Sequence, residues 1–193
     1  MNPFTPPSFG EKIDRLLSPL RLNELGPGQP NTAVRPQLEG LTIERLFENN
    51  IVDRTMASAC LASIWLYHDF LDESHSLSQE IATAEGSYWH GIMHRREPDY
   101  GNAKYWFRRV GDHPIGTELA AAASAVAQAA GADSASQFLT GQSSWDHCRF
   151  VDLCQTAAGA PGREMLCRQI QQREWWLLFD YCFRRACSAD RLR

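Results

Sequence analysis

The run from Met56 to Phe70, "MASACLASIWLYHDF", is the strongest constraint in the sequence. Wound into a helix, it is apolar on nearly every side, so it has no face to give to water. The rest of the chain must therefore cover it all round. The run is too short, and too polar at its ends, to cross a bilayer, which takes about 18 apolar residues or more. The covering segments also read as helices. Ile13, Leu16, Leu17 and Leu20 recur at helical spacing, and Leu166, Ile170, Leu177, Leu178 and Tyr181 form an apolar stripe. "TELAAAASAVAQAA" offers small side chains for close helix packing. Short alternating runs joined by hairpin turns are missing. The expectation is an all-α, single-domain helical bundle over residues 1–193, with about seven or eight helices.

Local signals divide the chain. Residues 1–10 are proline-rich and expected to be extended. Residues 26–40 contain three prolines and read as a loop. Thr42 and Asp53 are candidate N-caps, as is Ser143 or Ser144. Ser76, with Gln79 three residues later, has the form of a capping box and predicts that a new helix opens there.

The formal charge of −4 gives no global electrostatic case for nucleic acid or an anionic membrane as partner. None of the six cysteines forms a CxxC pair, which argues against a cysteine zinc site. They are expected to be free thiols in a cytoplasmic protein, and a Cys148–Cys154 disulfide is not expected in that compartment. The start "MNPFTPPSFGEK" lacks a basic, apolar leader. Phosphate-loop, dinucleotide-loop and nucleophile-elbow motifs are absent.

The stretch from Gly86 to Pro114 stands apart. It holds three of the six histidines, two of the six tryptophans and four arginines. Gly91, Ala103 twelve residues later, Phe107, "PDYGNAKYWFRR" and Pro114 together resemble one tetratricopeptide or Sel1-like repeat over residues 87–114. The resemblance implies an antiparallel helical hairpin and a role in protein–protein interaction. No second copy follows at a period near 34. The departures carry the chemistry. His90 stands where the repeat has a large apolar residue, His94 where it has an aromatic, and Ser87 where it has Trp. Two imidazoles are thus expected on the packed side of the hairpin.

His68 and Asp72 are four residues apart and would share a helical face. His75 joins that face only if the helix continues past the capping signal. His90 and His94 are a second i, i+4 pair. The expected site is His68, Asp72, His90 and His94, able to hold Zn, Fe or Mn, or to act in hydrolysis or general acid–base catalysis. Arg95 and Arg96 would hold a small anionic ligand at its mouth, with Trp89 and Tyr105 as walls. The competing reading is a buried hydrogen-bond network, pairing His68 with Asp72 and His90 with a carbonyl or tyrosine. In that case the chain is an interaction module for a protein partner. The aromatic "REWWLLFDYCFRR" is either core or a homodimer surface.

Overall fold

The computed structural model describes residues 5–48 and 50–187. Within them the chain is all-α, with α1 Glu11–Leu16, α2 Arg35–Glu39, α3 Ile43–Phe47, α4 Arg54–Tyr67, α5 Leu71–Ser78, α6 Ala84–Arg96, α7 Tyr100–Val110, α8 Gly116–Ala130, α9 His147–Gln155 and α10 Pro161–Ala186. A single 3-10 turn spans Gln137–Thr140. Helices therefore outnumber the seven or eight expected among the described residues. One of the additions, α2, is a short turn of helix inside the stretch read as a 26–40 loop. Pro36 sits in its first turn, where a missing N–H does no harm. The expected extended segment is described only from residue 5, and residues 5–10 form no helix.

The apolar run becomes α4, in which eleven residues are buried. Asp53 caps it by accepting the Thr55 and Met56 amides. Thr42 caps α3 by accepting the Arg45 amide. α9 is capped by Asp146, two residues past Ser144, through the Arg149 amide. No helix is long and apolar enough to cross a membrane among the described residues.

α4 packs against α10, α5 and α6, while α8 and α9 close a second core against the first half of α10. The aromatic face of α10 is spent on the main core. Phe9 meets Phe179 edge-on at 4.8 Å and Phe183 at 5.0 Å. Trp175, Trp176, Phe179 and Phe183 are buried, and Leu177 and Tyr181 are half-buried. α6 and α7 form the hairpin. A Cβ on Gly91 would come within 3.0 Å of the Phe107 ring, so glycine sets how closely the two helices approach.

The break between α4 and α5 falls at 68–70, and Ser76 lies inside α5. Asp69 takes a left-handed backbone with φ 64°. Its carboxylate accepts hydrogen bonds from Arg96 at 2.6 Å, from Asn23 at 2.8 Å and from Arg21. Arg96, 2% exposed, also donates to Gly26 O, Pro27 O and Leu66 O. On the other side of α6, Arg95 pairs with Glu174, which is fully buried. Removing one partner of such a pair leaves a charge without compensation. Asp69→Ala is expected to lower stability by about 3–5 kcal/mol, read as a fall in the urea midpoint. The exposed pair residue Glu11, changed to Gln, should leave that midpoint almost unmoved.

Candidate metal centre

Three imidazoles meet where α5 faces α6. His75 comes from α5, and His90 and His94 from successive turns of α6. One ring nitrogen from each lies within 4.8 Å of the other two. The His75 ring stands edge-on to His90 at 4.6 Å and to His94 at 5.3 Å between centroids. His90 and His94 stack at 4.7 Å, as an i, i+4 pair allows. Among the described residues, no other group of three such side chains converges in this way.

Each side chain is held differently. His94 Nδ1 is 3.1 Å from Glu97 Oε2 and donates to it. That bond fixes the tautomer, so the Nε2 lone pair is free to face the other rings. The Trp106 indole of α7 lies almost parallel to His90 at 4.0 Å and limits its rotation. His90 is 2% exposed, yet neither of its ring nitrogens has a hydrogen-bond partner. Burial, with the neighbouring His94 and His75 rings adding to it, holds the His90 pKa down to about 3. Burial also lowers the pKa of His94. Both rings are thus neutral at pH 7, the form that binds metal.

Other expected members lie elsewhere. His68 is a closed structural residue. Its Nε2 is 2.8 Å from Leu16 O, and its Nδ1 is 3.2 Å from the Asn31 amide. Asp72 is exposed on α5, one turn before His75. The two share no face, because the chain breaks between them at Asp69. Arg95 and Arg96 do not line a mouth. They are buried against Glu174 and Asp69 on other sides of α6. Trp89 is fully buried in the core and meets Trp175 edge-on at 5.8 Å. Tyr105 is 50% exposed on α7, edge-on to Trp106. Sequence reasoning passed over His75 because a break at Ser76 would have removed it. Its spacing from Asp72 was the available signal. Glu97 and Trp106 were visible only as i, i+3 and hairpin neighbours of the histidines.

A groove of about 490 Å³ between α8 and α10, lined in part by Val126, Trp176 and Asp180, contains none of these residues. It is roomy, but nothing in it converges as the three imidazoles do. Comparison with family models, with curated proteins and with solved structures returns no match to this chain. The geometry of the histidines therefore carries the functional reading by itself.

His147 is a second buried imidazole, also held down to about 3 by burial, with Arg95 adding to the effect. Both His90 and His147 titrate near 6.5 once unfolded. Between about pH 6.5 and 3 the unfolded chain binds more protons, so stability falls as pH falls through that window. Urea midpoints measured at pH 7, 5 and 4 should decline. The decline should be shallower in His90→Phe and in His147→Phe.

Proposed function

We propose that this is a helical metal-binding protein whose functional centre is His75, His90 and His94. The observation that carries the reading is His90, a buried imidazole with both nitrogens unpartnered and two more imidazoles beside it. Leaving such a group without a partner costs about 1–3 kcal/mol. A metal ion on one of the two nitrogens would remove that nitrogen's share of the cost. A tetrahedral ion about 2.0–2.1 Å from each nitrogen sets the ligands about 3.4 Å apart, so small side-chain rotations close the present arrangement.

Three neutral nitrogen ligands suit zinc better than iron or manganese, which favour carboxylate in the set. Glu97 is already engaged as the partner of His94. Three protein ligands leave a fourth position for water. A zinc-class ion supplies acidified water at neutral pH, the chemistry of hydrolysis or hydration. Glu97 orients His94, Trp106 holds His90, and His75 closes the set from a separate helix. An interaction module built on the α6–α7 hairpin would leave the unpartnered imidazole unexplained. Six cysteines, all free thiols, support a reducing, cytoplasmic setting.

Elemental analysis of the purified chain, followed by Zn²⁺ titration against a chelating indicator, tests this reading. One equivalent should bind. His75→Ala, His90→Ala and His94→Ala should each weaken binding by well over about tenfold, and Glu97→Gln by about 10- to 100-fold. A wild-type chain that takes up no zinc, cobalt or iron would sink the reading, as would variants that bind as wild type does.

A further inference from the structure

We infer that the natural traffic of this centre is the free divalent cation itself, gathered across a negatively charged lip that turns anions away. This rests on the metal reading above and specifies what the site admits. The first support is where the ligands sit on their helices. His75 is in the last turn of α5 and His94 in the last turn of α6. Two helix C-termini, each the negative end of its peptide dipoles, therefore converge on one point. An anion would meet the wrong end of both.

The second support is the path of the chain after α6. The Glu97 amide donates to Met93 O and the Asp99 amide to His94 O, both at 3.0 Å, so the chain turns tightly at the end of α6, next to His94. This sets the Glu97 carboxylate on His94 and brings Asp99 beside it. Asp72, exposed one turn before His75 in α5, adds a third carboxylate on the His75 side.

The third support is where the cations go. Arg95 and Arg96 directly follow His94, yet each is buried against its own carboxylate. Arg35 is engaged with Glu39 and Glu73, and Lys104 with Asp152. Arg109 is stationed over the Trp106 indole, 5.4 Å from its centroid, whereas His90 stacks on that indole. Glu97 is thus the charged group in contact with the imidazoles, with Asp99 in the turn that follows it and Asp72 one turn before His75. A hydrated dication is drawn in, while phosphate and carboxylate groups are opposed. Metal-bound water at this centre would accordingly act on neutral or cationic substrates.

Stopped-flow mixing of the full chain with Zn²⁺, read through a chelating indicator, tests the lip. The wild-type association rate should drop steeply as ionic strength rises from about 0.01 to 0.5 M. Asp99→Asn keeps a competent cap for α7, so the fold is retained. It should slow association about three- to fivefold at low salt and flatten the salt dependence, as should Asp72→Asn. Glu11→Gln, remote from the site, should change nothing. In the anion arm, the visible spectrum of the Co²⁺-loaded chain should not respond to inorganic phosphate or acetate up to about 10 mM. Zinc uptake indifferent to salt, Asp99 and Asp72, or phosphate binding tighter than about 1 mM, would overturn the lip while leaving the metal centre standing. A wild-type chain that takes up no metal would instead remove the centre itself.

Discussion

The Asp69 carboxylate is the interaction on which the rest of the arrangement depends. It gathers Arg96 from α6, and Arg21 and Asn23 from the N-terminal segment, at the point where α4 ends. Left to run on, α4 would carry His68, Asp72 and His75 along one continuous face. The break instead gives α5 its own axis and lays it against α6. Only then does His75 stand opposite His90 and His94. The same knot ties down the N-terminal strap. Gly28 has φ 72°, and a Cβ there would come 2.9 Å from the Asp69 carboxyl carbon, so the strap must pass as glycine. Earlier in the strap, Arg168 donates to Leu22 O and Asn23 O, and Gln171 to Glu24 O, which join the strap to α10.

α6 is buried from Glu85 to Arg96 although it is rich in polar side chains. Its charged side chains are held by partners of opposite charge. Arg96 is answered by Asp69, Arg95 by Glu174, His94 by Glu97, and Glu85 by His113, whose Nε2 lies 3.7 Å away at ion-pair rather than hydrogen-bond distance. Buried pairs of this kind add little net stability over an apolar core, but breaking one is costly. Among the described residues of this helix, His90 is the histidine with both ring nitrogens unpartnered, while Tyr88 and Trp89 each leave one buried polar atom without a partner.

Much of this could be read from residues close together in the chain. The all-α class followed from Met56–Phe70 and the helical stripes. The caps at Thr42 and Asp53, and the close approach at Gly91 and Phe107, are local patterns with local causes. His90 and His94 stood out as an i, i+4 pair of imidazoles on one helical face. What escaped was set by long-range charge. The turn at Asp69 is enforced by Arg96, 27 residues on, and by Arg21, 48 residues back, so no neighbouring residue announces it. Ser76 and Gln79 copied a capping box at the end of a helix, where Ser76 lies in the last turn of α5 and Gln79 is its C-cap. Arg95 reads as a surface residue until its partner, 79 residues away, is known. The cap of α9 moved from serine to Asp146 because both kinds of capping residue stand side by side there.

The ion pairs of α6 have a mechanical side. Arg95 and Arg96 point in different directions around the helix axis, and each is anchored to a separate part of the bundle. Together they fix the helix against both rotation and sliding, as two keys fix a shaft. The azimuth of His90 and His94 is therefore decided by charges on the far surfaces of the same helix. The spacing of the three nitrogens is thus a property of the whole bundle, and it is tuned from Glu174 and Asp69 as much as from the histidines.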